Sequence, residues 1–464
     1  MTTRRELPMM KQSRRDFIAG TAAAVAFAGG CMTGGSSEDC SSGAPMRNFK
    51  TPPMSRIRVG LVGAGYRGII AVKRFVNVPG IELTAVCDTR KECLDRAVAE
   101  AKSLTGRAPL AFGPGDEAYK GLCDSDEVDV VYNATAWDWH VPISLYAMRA
   151  GKHTLIEVPA ATRVDECWEL VETAEKTRRH CMQLENCCYG EYELLALNLC
   201  HLGLLGEILH GEGAYIHDRR WAIHFDNQWQ HWRRRWNERH AGNQYPTHGL
   251  GPICLDMDIN RGDRMDYIVS MDGNSRGYAA YAAEVLPQGD PLRSNRYAMA
   301  DMNLSLIRTA NGRTIMLQHD VTSPRPYSRL NLVAGTKGVF RAYPKLGITI
   351  EGEAPREAVS HRFDESETKR IQSEYMHPLY RKSGELSRRV GGHGGMDFLM
   401  DLRWATSMAQ GLPLDTDVYD LASWCAVCEL SERSARARSM SVDIPDFTRG
   451  AWRKRCDCNI MAIA

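Results

Sequence analysis

Short apolar runs alternate with amphipathic segments along the first part of the chain. Strands are predicted at residues 57–62, 81–87, 128–133, 153–156 and 181–185, with helices at 69–75, 142–150 and 165–176. A strand followed by a helix and then by another strand favours a parallel sheet with helices on both faces. The pattern therefore predicts an α/β domain with a doubly wound parallel sheet over residues 56–188.

The periodicity changes beyond Gly190. It predicts a second α/β domain, residues 189–464, built on a large, open, mainly antiparallel sheet that would supply the wall of a substrate site. Helical patterns at 396–408 and 418–437 are expected to pack back on the first domain. Residues 335–338 predict a tight turn, since they lack the spacing of a phosphate loop. The strand-like runs of this half are 208–217, 300–308, 314–319, 330–334 and 339–341.

The segment 232–252 is predicted to be a loop because it contains several glycines and prolines. Its Tyr, His and Arg content is nevertheless unusual for a mere connector. Tyr245 and His248 can both transfer protons, and the aromatic and guanidinium groups nearby suit the hydroxyls and apolar faces of a sugar. A packed turn with a solvated basic cluster explains the same composition equally well.

The first 31 residues predict an export signal. Arg14, Arg15 and Phe17 precede an apolar stretch over 18–30 that is too short to span a bilayer, as is typical of the twin-arginine route. Cys31 is a candidate site for a lipid anchor, and residues 32–55 predict a flexible linker. We therefore expect a protein exported in its folded state, either periplasmic or anchored to the membrane as a lipoprotein.

Charge and cysteine content narrow the classes of partner. The 58 basic and 57 acidic side chains nearly cancel, which argues against a nucleic acid bound through bulk charge. The 15 cysteines are scattered and often lie inside apolar runs, so most are expected to be buried thiols. Cys425/Cys428 and Cys456/Cys458 have spacings that a metal could use, but they complete no convincing four-ligand set, so no metal site is predicted.

A glycine-rich turn joins the first predicted strand to the first predicted helix. Gly63, Gly65 and Gly68 form the pattern GxGxxG. The first glycine permits the tight turn, the second lets the backbone approach a pyrophosphate, and the third allows close packing of helix and strand. Asp88 ends the second strand, where a carboxylate can hold the ribose hydroxyls and repel a 2′-phosphate. The unit predicts a Rossmann domain that binds NAD rather than NADP.

Further polar and aromatic groups follow predicted strands, at the edge where sheets of this kind bind ligands. Taken singly, tryptophans there are more typical of packing, and a histidine is more typical of a loop residue with satisfied hydrogen bonds. Their joint position at strand ends favours a binding site. The groups are Trp137, Asp138, Trp139 and His140; Glu157, Val158 and Pro159; and Asn186.

From about Arg56 onward the chain resembles the Gfo/Idh/MocA-type oxidoreductases and, among them, the NAD-dependent glycosidases of glycoside hydrolase family 109. The resemblance spans nearly the whole chain after the leader. Its motifs are GAGYRG at 63–68, WDWH at 137–140, EVPAA at 157–161, YPTHGLGP at 245–252, DINRGD at 258–263, PRPYSRLNLVAGTKG at 324–338 and GGHGGMDF at 391–398.

The resemblance assigns roles to individual residues. The catalytic residues that it implies are Tyr245, His248 and Glu157, and His393 lies in a matching motif with a weaker assignment to the pocket. Contacts to NAD are implied for Tyr66, Arg67, Asp88, Trp137, Asp138, Trp139, His140, Glu157, Val158, Asn186 and Tyr245. Contacts to a sugar are implied for Tyr215, Arg233, Tyr245, Pro246, Thr247, His248 and Tyr327.

The resemblance also implies a reaction without net redox change. NAD would take a hydride from C3 of the sugar, a base would remove the proton on C2, the C1 substituent would leave, water would add at C1, and the hydride would return. The expected enzyme hydrolyses terminal α-N-acetylgalactosaminyl or related glycosides and recycles a tightly bound NAD. This agrees with the export signal, because an exported enzyme has no nicotinamide pool with which to exchange its cofactor.

Two other functions stay open. Dehydrogenases of the superfamily usually carry Glu-Lys-Pro where this chain has Glu157, Val158 and Pro159, so the usual acid/base lysine is missing. A conventional NAD-dependent sugar or inositol dehydrogenase is the second hypothesis, and a non-catalytic sugar-binding protein that keeps NAD as a structural group is the third. Superfamily members often pair through the open sheet, so a homodimer is also compatible with the resemblance.

Overall fold

The computed structural model describes residues 45–221, 231–352, 362–456 and 458–461. The predicted export signal, Cys31 and the first part of the predicted linker lie outside these residues. Among the helices within these ranges, none is both long and apolar enough to cross a bilayer.

The first sheet, sheet A, is parallel throughout, with the strand order β3-β2-β1-β4-β5-β6. This order confirms the doubly wound sheet. The strand β3 was not predicted; it has only 3 residues, which is too short for a clear strand pattern. The strands are β1 (Ile57–Val62), β2 (Ile81–Cys87), β3 (Leu110–Phe112), β4 (Val130–Asn133), β5 (His153–Ile156) and β6 (Cys181–Gln183).

Helices connect these strands, and two of them begin well before the predicted residue. The first starts at Tyr66, directly after Gly65. The fourth starts at Trp137 rather than near Pro142, so the WDWH motif forms its first turn. Trp137 packs against Trp232 and Trp236, and these tertiary contacts hold the turn that precedes Pro142. The helices are α1 (Tyr66–Phe75), α2 (Lys91–Thr105), α3 (Ala118–Asp124), α4 (Trp137–Arg149) and α5 (Val164–Thr177).

The second sheet, sheet B, is mixed and mainly antiparallel, as predicted. Its order is β13-β12-β11-β7-β10-β9-β8-β14, and only the β7–β10 pair is parallel among the pairs within the described ranges. Strand β9 buries alternate residues, so one face of the sheet meets the core and the other faces solvent. The strands are β7 (Ile208–Ile216), β8 (Met265–Asp272), β9 (Asn303–Thr309), β10 (Thr314–Asp320), β11 (Ser328–Gly335), β12 (Gly338–Arg341), β13 (Gly347–Ile350) and β14 (Val442–Asp443).

The remaining helices include two inside the segment that was predicted to be a loop. That prediction was wrong, because residues 231–239 and 247–256 are helical. The described helices of this half are α6 (Glu191–His201), α7 (His231–Arg239), α8 (Thr247–Asp256), α9 (Gly277–Val285), α10 (Glu365–Tyr375), α11 (Pro378–Val390), α12 (Met396–Gln410) and α13 (Val418–Arg436).

The glycines of α8 allow close packing rather than breaking the helix. A Cβ atom on Gly249 would lie 2.3 Å from the backbone nitrogen of Ala214, and one on Gly213 would lie 2.3 Å from the carbonyl oxygen of Gly249. Helix α8 therefore lies directly against β7. This contact brings the start of α8 close to the end of β7, where the candidate site is found.

Candidate active site

A cavity of about 540 Å³ lies at the carboxyl ends of the central strands of sheet A and of β7. Its size is in the range of sites that bind small molecules. Most of the predicted site residues line it: Gly63, Gly65, Tyr66, Arg67, Asp88, Trp137, Trp139, His140, Glu157, Val158, Asn186, Tyr215, Arg233, Tyr245, His248, Tyr327 and His393. The structure thus brings together residues that are widely separated in the sequence.

Four predicted residues do not line this cavity. Gly68 packs behind the glycine-rich turn, and Asp138 is exposed because consecutive residues in the first turn of α4 point in different directions. Pro246 and Thr247 are buried at the start of α8, and Thr247 is 0% exposed. The sequence motif therefore includes residues that support the site as well as residues that face it.

The glycine-rich turn has the shape that a dinucleotide requires. Gly63 has φ +89, and a Cβ there would lie 2.7 Å from the carbonyl oxygen of Ala134. A Cβ on Gly68 would lie 1.9 Å from the carbonyl oxygen of Gly63. Helix α1 begins at Tyr66, so its free N–H groups face the same cavity as the turn. Side chains at these glycines would block either the turn or the approach of a phosphate.

Asp88 stands at the end of β2 and lines the cavity. Its Oδ2 accepts a hydrogen bond from the Ala64 N–H at 2.7 Å, and its Oδ1 accepts one from the Arg90 N–H at 2.8 Å. The carboxylate is thereby fixed beside the glycine-rich turn, where ribose hydroxyls would lie. Turn, helix N-terminus and carboxylate together fit NAD.

An ionic network around the buried Asp397 forms part of the cavity wall. Arg67 Nη2 lies 2.7 Å from Glu157 Oε1, and Arg67 Nη1 lies 3.0 Å from Asp397 Oδ2. Asp397 also accepts a hydrogen bond from Asn186 Nδ2 at 2.6 Å and lies 3.0 Å from His393 Nδ1. Burial alone would raise the pKa of Asp397, but the cation of Arg67 holds it well below its usual value. Glu157 is paired with a permanent cation, which suits it to orient other groups.

The WDWH motif closes one side of the cavity. Trp137 Nε1 donates to the carbonyl oxygen of Val158 at 3.2 Å. His140 has its two ring nitrogens 2.8 Å from the Pro159 carbonyl oxygen and 3.1 Å from that of Thr135, and its burial lowers its pKa. In this structure His140 holds two loops together, and its predicted contact with NAD stays a prediction.

Tyr245 and His248 meet at the start of α8. Their ring centroids are 4.9 Å apart at 89°, and the Tyr245 ring lies 4.6 Å from that of Tyr215 on β7. The guanidinium carbon of Arg233 lies 5.2 Å from the Tyr245 ring. Burial raises the pKa of Tyr245, with Arg233 opposing it, so the Tyr245 hydroxyl keeps its proton at neutral pH. The cluster provides a proton donor and an imidazole at one point of the cavity.

Glu185 is a site residue that the sequence reasoning missed. Its Oε1 lies 2.7 Å from Nδ1 of His248, and its side chain is 2% exposed. Burial alone would raise the pKa of Glu185, but the neighbouring His248 imidazole holds it below its usual value. The prediction placed Glu185 inside a strand, whereas β6 ends at Gln183 and Glu185 follows it. The rule that ligands bind at strand ends could have identified it.

Other missed residues extend the wall beyond β7. His217 and Arg219 line the cavity directly after that strand, and Trp232 lines it from α7. The Tyr215 hydroxyl lies 3.2 Å from His217 Nδ1. Burial, and next the cation of Arg219, lowers the pKa of His217 to about 4, so its ring is neutral at pH 7. The position of His217 and Arg219 directly after a strand is the feature of the sequence that could have identified them.

Three possible metal ligands also meet in this region. Glu185, Cys187 and His248 each offer a donor atom, all within 4.8 Å of one another. Burial raises the pKa of the Cys187 thiol well above its usual value, and the carboxylate and imidazole are bonded to each other. A metal would have to displace these bonds. Every cysteine in the described ranges is a free thiol, and most of them are buried, as expected.

Comparison with known proteins covers both halves of the chain. Residues 57–184 match the oxidoreductase family described as an NAD-binding Rossmann fold, and residues 189–454 match the C-terminal domain of glycosyl hydrolase 109. A glycosyl hydrolase family 109 protein of Phocaeicola vulgatus is 44% identical over 88% of this chain and 98% of its own. An alpha-N-acetylgalactosaminidase of Shewanella oneidensis is 44% identical over 89% of each chain.

Solved structures share the fold at lower identity. A levoglucosan dehydrogenase in complex with NADH and levoglucosan aligns with a TM-score of 0.63 at 17% identity, covering 84% of this chain and 100% of its own. An oxidoreductase domain protein from Kribbella flavida aligns with a TM-score of 0.65 at 19% identity over 84% of this chain and 100% of its own. The predicted fold, NAD-binding domain and family are confirmed. The chain belongs to glycoside hydrolase family 109.

Proposed function

We propose that the protein is an exported glycosidase that hydrolyses terminal α-N-acetylgalactosaminyl or closely related glycosides through transient oxidation at C3 of the sugar. The observation that carries the proposal is the meeting of a dinucleotide cradle with Tyr245 and His248 in one cavity. The relative from Shewanella oneidensis, named as an alpha-N-acetylgalactosaminidase, supports the choice of sugar.

One side of the cavity would bind NAD and the other would bind the sugar. Gly63, Gly65, Asp88 and the start of α1 would hold NAD, which when bound supplies a hydride acceptor and later a hydride donor for the sugar carbon. On the opposite side, Tyr215, Tyr245 and Tyr327 and the Arg233 guanidinium would hold the sugar through its apolar faces and hydroxyls.

Tyr245 and His248 would carry out the proton transfers. The lysine usual in related dehydrogenases is replaced by Val158, a buried apolar residue that lines the cavity. Oxidation at C3 acidifies the proton on C2, so a base that removes it allows the C1 substituent to leave. His248 is suited to accept protons and Tyr245, which is protonated at neutral pH, is suited to donate them. Water then adds at C1, and the redox state of the sugar is restored.

Hydrolysis without net redox change is tested with nitrophenyl glycosides. We expect the purified protein to contain NAD that is released on denaturation, and to release nitrophenol from the α-N-acetylgalactosaminide over many turnovers without accumulating NADH. In D₂O the product should carry deuterium at C2. Panels of α- and β-glycosides would define the sugar.

Two results would contradict this function. Formation of NADH and keto-sugar in equal amounts, with added NAD required, would indicate a conventional dehydrogenase. Sugar binding with no turnover on any glycoside, and binding unchanged in Tyr245→Phe and His248→Ala, would indicate a binding protein.

We propose the twin-arginine route for export on the sequence of the leader alone, with Arg14 and Arg15 before an apolar stretch. In a bacterial host, the wild type should reach the periplasmic or membrane fraction with NAD bound. The double variant Arg14→Lys/Arg15→Lys should stay in the cytoplasm with equal specific activity. Cys31→Ala should move the protein from the membrane to the soluble fraction if the cysteine is lipidated, and export of the Lys variant would contradict the route.

A further inference from the structure

The Glu185 carboxylate is held by the turn that follows β6, and the helix that carries His248 packs against this turn. Glu185 lies between β6 and a short 3-10 helix, Asn186–Tyr189, and its Oε1 accepts the Cys187 N–H at 3.1 Å. A Cβ on Gly251 of α8 would lie 3.0 Å from Glu185 Cγ, so α8 passes close to this turn. These contacts set the position of the carboxylate next to the His248 ring.

The hydrogen bond between the two residues selects one form of the imidazole. A carboxylate that has lost its proton only accepts hydrogen bonds, so the 2.7 Å contact requires a proton on His248 Nδ1. A neutral imidazole with Nδ1 protonated has its lone pair on Nε2. His248 lines the cavity, and its bonded Nδ1 leaves Nε2 as the nitrogen that can accept a proton there.

Glu185 is the charged side chain that contacts the His248 ring directly. The rings of Tyr215 and Tyr245 meet the imidazole edge to face, and burial raises the pKa of both phenols, so both are neutral. Cys187 is a neutral thiol for the same reason, and His217 is a neutral imidazole. Among the described residues at this point, Glu185 is the negative charge in direct contact with His248.

We propose that Glu185 is a positioning residue for the reaction: it holds the His248 ring with Nδ1 protonated and so presents Nε2 to the sugar as the proton acceptor. The proposal rests on the proposed function in that His248 receives a proton from the substrate. In that step the C2–H bond of the 3-keto sugar breaks, its electron pair passes to the C3 carbonyl as an enolate, an Nε2–H bond forms, and Glu185 keeps its charge. Glu185 itself touches no substrate and is not a catalytic residue.

The kinetic test is a double-mutant cycle with Glu185→Gln, His248→Ala and the double variant. Glutamine keeps the size of the side chain and can still accept the Cys187 N–H, but it removes the charge. We expect Glu185→Gln to lower kcat by about 10²-fold or more with KM changed less than about threefold, as for loss of general acid–base assistance. In the His248→Ala background the same change should have no further effect, because Glu185 acts through His248.

Glu175→Gln is the matched control. Glu175 is also a buried carboxylate, 3% exposed and bound to Arg449 and Tyr419, but it lies outside the cavity. This control should leave kcat and KM unchanged even where it lowers stability. Multiplying losses in the double variant, or an equal loss of kcat in Glu175→Gln, would overturn the proposal.

A spectroscopic test separates this proposal from the proposed function. In the substrate-free protein with its bound NAD, ¹⁵N-histidine NMR reports which ring nitrogen carries the proton, and the His248 signals are those lost in His248→Ala. At a pH where the ring is neutral, we expect Nδ1–H in the wild type and in Glu175→Gln, and a shift toward Nε2–H in Glu185→Leu, which offers no acceptor to Nδ1. An unchanged tautomer would overturn the proposal even if the glycosidase activity is found. The expected tautomers together with a failed glycosidase assay would overturn the proposed function alone.

Discussion

The Tyr245 hydroxyl is the proton donor in the proposed reaction. Its ring is held by Tyr215, His248 and Arg233, and its backbone N–H donates to Asn243 Oδ1 at 3.1 Å. The position of the ring therefore does not depend on the hydroxyl group. Removal of that group should affect the reaction and leave the fold intact.

We predict that Tyr245→Phe lowers kcat by about 10²- to 10⁴-fold, the range for loss of a general acid or base. The amount of bound NAD and the melting temperature should stay at wild-type values, because the ring contacts persist. Nitrophenol release and dinucleotide extraction measure the two effects. Tyr267→Phe on β8, outside the cavity, is the control and should behave as the wild type. Wild-type turnover in Tyr245→Phe would exclude a role for this hydroxyl.

Gly68 tolerates no side chain, since its Cβ would meet the carbonyl oxygen of Gly63 at 1.9 Å. We predict that Gly68→Ala destabilises the protein by about 1–3 kcal/mol and reduces its NAD content, because the turn must move away from α1. Chemical denaturation and dinucleotide extraction check this. Gly273→Ala is the control, since its Cβ would have its nearest neighbour at 3.5 Å. Equal stability and NAD content in both variants would contradict the packing argument.

Residues with a local geometric role could be predicted from the sequence. Gly63, Gly68 and Asp88 each act within one strand–turn–helix unit, so their spacing was sufficient. Glu185 and His248 are 63 residues apart in the chain, and their contact depends on how α8 packs on β7 and β6. Nothing in the local sequence encodes that contact.

At the scale of elements, an ionic network joins α1 to α12. Arg67 and Arg74 of α1 meet Asp397 and Asp401 of α12, and both aspartates are 0% exposed. A buried charge without its partner is costly, so each aspartate is required by the arginine opposite. Helix α12 is thereby held against the NAD-binding side of the molecule.

We predict that Asp397→Ala lowers the free energy of unfolding by about 3–5 kcal/mol, because Arg67, Arg74 and Asn186 lose a common buried partner. Urea denaturation measures the loss. Glu365→Gln is the control: its partner Lys345 and Glu365 itself are exposed, and such pairs contribute little. A loss in Asp397→Ala no larger than that in Glu365→Gln would show that the network is not stabilising.

The bounds of strands and helices were predicted well where apolar periodicity is strong, and poorly where tertiary packing determines the local structure. The bounds of β1, β2 and β5 agree with the prediction. Gly249, Gly251 and Pro252 indicated a loop, yet they lie within α8. Gly249 is required by its contact with β7 and Gly251 lies against Glu185, and these tertiary contacts override helix propensity.

At the scale of the whole molecule, two buried histidines make the fold sensitive to acid. His153 and His180 pack against each other with ring centroids 5.1 Å apart. Burial lowers the pKa of His153 to about 4 and that of His180 to about 3. The unfolded chain therefore binds more protons than the folded chain once the pH falls below about 6.5.

We predict that the free energy of unfolding decreases as the pH is lowered from about 6.5 toward 4. His180→Phe should reduce this decrease by on the order of 2 kcal/mol at pH 4.5, because it removes one buried group that must become charged. Phenylalanine fits a ring that already packs 4.7 Å from Phe49. Urea denaturation at several pH values checks this. His201→Gln, an exposed control, should not alter the pH dependence. An unchanged slope in His180→Phe would contradict the assignment.

The fold class and the position of the site could be predicted for the whole molecule, since alternating strands and helices imply a parallel sheet whose ligand binds at the carboxyl edge. The strand order of sheet B could not be predicted from the sequence. Strand β7 pairs with β10 and β11 across more than a hundred residues of sequence. Only the packing of the complete chain determines such pairings.

The contact between Gly213 and Gly249 restricts how the specificity of this enzyme can diverge. A methyl group at either position would push α8 away from β7 and separate Tyr245 from Tyr215. Mutations that broaden the range of accepted sugars are therefore not expected at this junction. They should accumulate at His217 and Arg219, which border the cavity beyond the end of β7 and are free of this backbone contact. Saturation mutagenesis should therefore yield new sugar specificities at those two positions more readily than at Gly213 or Gly249.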